Sequence, residues 1–206
     1  MIARGLLIGL RIGLLIGLLG CLLAAPLHAQ TLVAAARQQV GVTLLYDGSY
    51  QRLAYPMGDV PIERGVCTDV VIRAFRVLGR DLQQLVHQDM TRHFKRYPQN
   101  WGLSRPDRNI DHRRVPNLAR FFERHGTVLN ATAAPKDFQP GDLVTFTLPG
   151  NLPHIGIISN RRDPQGIPLL IHNVGAGTRE EAALTSWPIV GRYRYSGEQP
   201  LRSRFE

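Results

Sequence analysis

The sequence predicts an α+β domain, with helices first and a small antiparallel sheet after them. Between residues 32 and 125 apolar residues recur every three or four positions, the period of a helix with one buried face. After Gly126 the pattern changes to short β-type runs at 143–146, 154–159, 169–172 and 189–195. Turn formers divide these runs, at Pro140-Gly141-Asp142, 160–168 and 175–177. Helices followed by a meander of about four strands pack as helices on one sheet.

A chain of 206 residues, 44% hydrophobic and 20% charged, suits one domain with its own core. Residues 1–29 read differently. Arg4 and Arg11 precede an apolar run at 12–23, and small residues lead to Ala29. That is the layout of a secretory signal peptide cut after Ala29, leaving 30–206 as a single exported, periplasmic domain. A membrane anchor is the rival, but Arg11 interrupts the roughly 20 apolar residues that a bilayer span needs. Leu18-Leu19-Gly20-Cys21 also resembles a bacterial lipobox, which would lipidate Cys21 and anchor the protein. Either route leaves Cys67 with no disulfide partner in the chain, so it reads as a reactive thiol or a small core residue.

Cleavage after Ala29 removes two arginines and no acid, taking the net charge from +9 to +7. The only lysines are Lys95 and Lys136. Arginine grips carboxylates and phosphates in a fork, which points to an acidic cell-envelope ligand such as peptidoglycan. Arginine-biased coding is the compositional alternative. Export argues against nucleic acid as the partner.

The elements follow in order. An Ala-rich helix is expected over 32–40, stopped by Gly41. Residues 46–65 hold Gly48, Pro56, Gly58, Pro61 and Gly65, so they read as an ordered loop. Tyr46, Tyr50 and Tyr55 in that loop are candidate walls of a cleft. A helix opens at Cys67 and ends at Gly79, with Val70, Val71, Ala74, Phe75, Val77 and Leu78 on its apolar positions. Asp81 caps the next helix, 82–94, whose His87 and His93 read as surface residues. The segment 97–116 is long, polar and charged for a plain connector, and such loops often bind ligands. Within it Asp111, His112, Arg113 and Arg114 form a candidate substrate-binding cluster, with a solvated charge cluster as the alternative. A third helix is expected at 117–125. The tail from 196 is expected to fray.

The chemistry centres on Cys67. A helix N-terminus lowers a thiol pKa, which predicts a value well below the free one of about 8.5. Asp69, in the first turn, serves as a helix cap but opposes thiolate formation. A histidine within reach completes a nucleophile. His154 opens an apolar strand just after a Pro-Gly turn, a place where it could meet a cleft. A third group should orient its ring. His172 and Asn173 both qualify; they face opposite sides of their strand, and parity alone does not choose between them.

This order of parts resembles the NlpC-type papain-like cysteine peptidases of bacterial cell walls. The likeness lies in the Cys67 helix, Pro140-Gly141-Asp142-Leu143-Val144-Thr145-Phe146, His154-Ile155-Gly156-Ile157-Ile158 and Ile171-His172-Asn173. It implies a papain-like fold with Cys67 as nucleophile, His154 as base and His172 as orienting residue. Val66 before the cysteine and Thr68-Asp69 after it depart from that family's Asp-Cys-Ser-Gly pattern. Over nearly the whole mature length the chain is similar to an exported bacterial family known as domain of unknown function 1287. The runs 65–74, 107–117 and 171–177 carry this second likeness.

The expected function is an exported thiol hydrolase, of cysteine peptidase or amidase type, acting on peptide or amide bonds of peptidoglycan. Acyl transfer to an amine is the close variant, and a non-catalytic envelope-binding module is the alternative. No cofactor is expected. Cys67, His154 and His172 would also make a zinc set with one open position, but paired short-spacing ligand motifs are lacking, so no metal is assigned.

Overall fold

The computed structural model describes residues 31–197; the expected signal peptide, Cys21 and most of the tail expected to fray lie outside the described residues. The fold is α+β. Four α-helices among the described residues, α1 (Leu32–Arg37), α2 (Cys67–Val77), α3 (Leu82–His93) and α4 (Val115–His125), accompany a six-stranded antiparallel sheet. α1 is shorter than expected; the Thr31 hydroxyl caps its start, accepting from Ala34 N–H at 3.2 Å. Asp81 caps α3 by accepting from Gln83 N–H at 3.2 Å. α4 starts earlier than expected because Pro116 is at home in a first helical turn, where no N–H partner is needed.

A parallel pair, β1 (Leu45–Tyr46) and β2 (Arg64–Gly65), precedes α2. The main sheet comprises β3 (Thr127–Val128), β4 (Leu143–Leu148), β5 (Leu152–Arg162), β6 (Pro168–Asn173), β7 (Thr178–Glu181) and β8 (Ile189–Arg194). Its spatial order is β3-β8-β4-β5-β6-β7. Four of these strands match the β-type runs. The outer two escape a hydrophobicity reading: β3 has two residues, and β7 is Thr-Arg-Glu-Glu, charged because it is an edge strand.

Alternation along the strands splits the interior into two faces. Ile155, Ile157 and Ile171 pack against Val70, Val71 and Phe75 of α2 and Phe122 of α4. On the other face Val144, Phe146, Ile158 and Leu170 are covered by Phe138, Leu184 and Trp187 from flanking loops. Gly156 is required between them, since a Cβ there would come within 2.8 Å of Leu170 Cδ1.

The long loop that precedes α2 is held by buried arginine. Arg73 forks onto Asp59 at 2.9 and 3.1 Å and donates to the carbonyls of Val60 and Arg64. Arg76 donates to Asp81 and to the Gly58 carbonyl. Among the described residues no helix is long and apolar enough to cross a membrane.

Asp89 joins α3, Tyr97 and α4. It accepts from Arg124 at 2.6 and 3.0 Å and from the Tyr97 hydroxyl at 2.6 Å. Burial disfavours its charge, but Arg124, Tyr97 and His125 outweigh that and hold its pKa below the usual carboxylate range. A depressed folded-state pKa contributes stability above the unfolded value of about 3.9 and loses it as pH falls below that. Asp89→Asn is expected to cost about 2 kcal/mol at pH 7. Denaturant unfolding at a series of pH values should also show a flatter loss of stability below about pH 4 than in the native chain.

Candidate active site around Cys67

Cys67 is the first residue of α2 and is only 3% exposed. The β5–β6 ladder runs from Arg162↔Pro168 to Ile157↔Ile171. Beyond that pair the two strands bond to the α2 entrance instead of to each other. Ile155 N–H faces the Cys67 thiol, and Asn173 Nδ2 donates to the Gly65 carbonyl at 3.1 Å. The turn leading into α2 therefore sits at the open end of the strand pair.

One residue before Ile155, the ring of His154 turns to the other face of the sheet. Its Nε2 lies 2.8 Å from His172 Nδ1, and His172 Nε2 lies 3.1 Å from Glu181 Oε1. Trp187 packs edge-on against both imidazoles, with centroids 5.8 and 5.9 Å away. His172, not Asn173, is the partner of His154. The chain His154–His172–Glu181 runs from a buried ring to a half-buried carboxylate.

Burial pushes the Cys67 thiol up to about 11; the Asp69 carboxylate adds to this, while the N–H groups of Ile155, Thr68 and Cys67 itself oppose it. The expected low-pKa thiolate is therefore not what this geometry holds. Burial, and then His172, push His154 down to about 3. Burial also lowers His172, against the pull of Glu181. The resting site is a protonated thiol with neutral imidazoles.

Asp69 caps α2 as expected, accepting from Val66 N–H at 2.7 Å. It is also gripped by Arg113, from Nε and Nη2, both at 2.9 Å, in a pair with both side chains almost wholly buried. Tyr46 stands against the thiol. Burial, then the nearby Cys67 and Asp69, raise its phenol to about 12, so it remains a donor.

The segment Asp111–Arg113 is a 3₁₀ turn and is buried, not a solvated charge cluster. Asp111 accepts from Asp107 N–H at 2.6 Å and from Arg114 at 2.9 Å. His112 lies inside near Arg76 and Arg113, and burial with those two cations lowers its pKa to about 3. Arg113 and Arg114 differ from these two: they border a pocket of about 300 Å³ together with Tyr46, Trp101, Pro153 and Cys67. Arg114 lies 4.0 Å over the Trp101 ring. So of the four candidate binding residues, Asp111 is bonded internally, His112 is buried, and the two arginines reach the pocket. Among the described residues no group of three or more His, Cys, Asp or Glu is arranged to hold a metal.

Sequence reasoning did not identify Trp101, Glu181 or Trp187 as parts of the site. Glu181 had one usable signal: in an antiparallel pair it sits diagonally from His172, on the same face. The two tryptophans come from loops and gave none.

Cys67 alkylation in the free protein is expected to keep accelerating to about pH 11, where an ordinary thiol levels off about two units lower. Asp69→Asn removes a charge that opposes the thiolate and leaves Arg113 unneutralised, so the titration should move down. The same substitution should cost about 3 kcal/mol of stability, because it breaks a buried ion pair. A native midpoint at or below 8.5 would overturn this account of the site.

The sequence comparisons agree with one another. The model of the family described as Domain of unknown function (DUF1287) matches residues 33–195. The Escherichia coli (strain K12) protein titled "Uncharacterized protein YijF" is 56% identical over 160 residues, covering 78% of each chain. The matched span holds every residue of the site, from Tyr46 to Trp187. The chain belongs to the DUF1287 family.

Proposed function

We propose that the protein is an exported thiol hydrolase with a papain-like, NlpC-type site, cleaving peptide or amide bonds of peptidoglycan. Cys67 is the nucleophile, His154 the base and His172 the orienting residue. One observation carries the reading: a helix-opening cysteine held at the β5–β6 opening by Ile155 N–H, with the His154–His172–Glu181 chain starting at the very next residue. His172 occupies Nε2 of His154, so Nδ1 is the nitrogen left to take the thiol proton; because the ring packs with Phe146 and Trp187 on the opposite face of the sheet from Cys67, it must swing round the strand end to reach the sulfur.

The reaction follows from that assignment. Sγ attacks the carbonyl carbon as its proton passes to His154 Nδ1. The C–N bond breaks, and the amine leaves with that proton. Water then adds to the thioester with His154 as base, releasing a carboxylic acid and restoring the thiol. Backbone N–H groups at the start of α2 and the Tyr46 hydroxyl, which neighbour the thiol, would serve as donors to the oxyanion. A thiol that is protonated at rest fits base-assisted attack better than a preformed thiolate–imidazolium pair.

A second reading, an envelope-binding module with the same fold, is favoured by the same high thiol pKa and the burial of Cys67. Incubation with soluble peptidoglycan fragments separates the two. Release of new termini is expected, with Cys67→Ala inactive and His154→Ala down about 10²–10⁴-fold. His172→Ala should lose less. Hydrolysis undiminished in Cys67→Ala would remove Cys67 as the nucleophile, and no cleavage by a folded native chain would leave the binding module as the better reading.

A further inference from the structure

A second cavity among the described residues lies away from the thiol. It is a cleft of about 770 Å³ between the loop that follows β1 and the segment 103–109. Its walls are tied together. Tyr50 donates to Asp107 at 3.0 Å and accepts from Asn109 at 2.9 Å. Leu53 N–H donates to Asn109 Oδ1 at 3.0 Å, and the buried Gln83 donates to the carbonyls of Ala54 and Arg108. A cleft stapled in this way is preformed, so little entropy is lost when it orders a ligand.

Its charge is one-sided. Arg52 lines one wall and Arg105 and Arg108 the other; all three are exposed, and none makes an ion pair among the described residues. Most arginines of the fold are committed: Arg37, Arg73, Arg76, Arg113, Arg124 and Arg192 each hold a carboxylate. The one acid in the cleft, Asp107, has both oxygens occupied, by Tyr50 and by Asn109 N–H. Leu53, Leu103 and Pro106 add apolar surface to the same cavity.

We propose that this cleft binds a carboxylate-bearing peptide, with Arg52, Arg105 and Arg108 as its anion-gripping residues. Guanidinium groups on opposite walls, with apolar surface in the same cavity, suit carboxylates spaced along a peptide with short aliphatic side chains. One compact phosphate group would not span them. The cleft also adjoins the thiol pocket: Asn109 borders the first and Ile110 the second, and Leu103 and Trp101 are divided in the same way. The placing of this peptide's scissile bond at Cys67 rests on the thiol-hydrolase reading; the binding itself does not.

The test is titration calorimetry of the full chain with three probes: a synthetic pentapeptide of alanine containing two glutamates, its glutamine counterpart, and tripolyphosphate. The acidic peptide should bind at least tenfold more tightly than the glutamine peptide, and less tightly as salt rises. The triple variant Arg52→Gln, Arg105→Gln, Arg108→Gln should weaken that binding at least tenfold while leaving the Cys67 alkylation rate within twofold, which shows that the fold is intact. Single Arg→Lys changes should recover only part of it, since lysine lacks the fork. Equal affinity for the two peptides, binding that survives the triple change, binding of tripolyphosphate alone, or no binding at all would each overturn the proposal. Arg-dependent binding together with inactive native protein toward peptidoglycan fragments would keep the cleft and remove the hydrolase.

Discussion

The buried pair of Asp69 and Arg113 is the interaction on which the site depends. Asp69 takes the Val66 N–H at the entrance of α2 and both arms of Arg113. Arg113 goes on to the carbonyls of Ser49 and Asp47. Thr68 closes the circuit by donating to the Arg113 carbonyl at 3.0 Å. One ion pair thus joins the first turn of the cysteine helix, the loop carrying Tyr50, and the segment that forms one wall of each cavity. Such a pair contributes little net stability compared with apolar residues of the same volume, because desolvation offsets the attraction. Its value here is geometric: two loops without a core of their own take up a single arrangement around Cys67.

The same pair takes part in setting the state of the thiol. A helix terminus stabilises a nearby charge by about 0.3–2 kcal/mol. Full burial can shift a pKa by up to ~3–5 units, or about 4–7 kcal/mol. Burial is the larger effect, and Asp69 pushes in the same direction, so Cys67 rises to about 11 despite three neighbouring N–H donors. The helix-terminus argument was sound in sign, but it left out how completely the fold covers the sulfur.

Arginine has two roles in this protein. Inside, it replaces a hydrophobic core beneath the loops: Arg73 alone reaches Asp59, Thr43 and a run of carbonyls. Outside, at the cleft, it is left uncommitted. A basic composition therefore does not translate directly into a basic surface. Much of the charge is neutralised by internal carboxylates, and three guanidinium groups without an ion pair among the described residues share one cavity.

By itself the sequence determined the α+β class, the starts of α2 and α3, four of the six sheet strands, and the adjacency candidates Cys67 at a helix start and His154 and His172 on strands. These follow from local rules: periodicity, capping residues and strand alternation act over a few positions and are written in consecutive residues. Tertiary structure alone decided the rest. It chose His172 over Asn173 by setting how β5 and β6 part beyond Ile157↔Ile171. It turned Asp111 and His112 inward while bringing Arg113 and Arg114 to the pocket. It paired Asp69 with a residue 44 positions away and buried the thiol at the edge of the pocket. Burial and long-range ion pairing are properties of the assembled chain, so no window of sequence contains them.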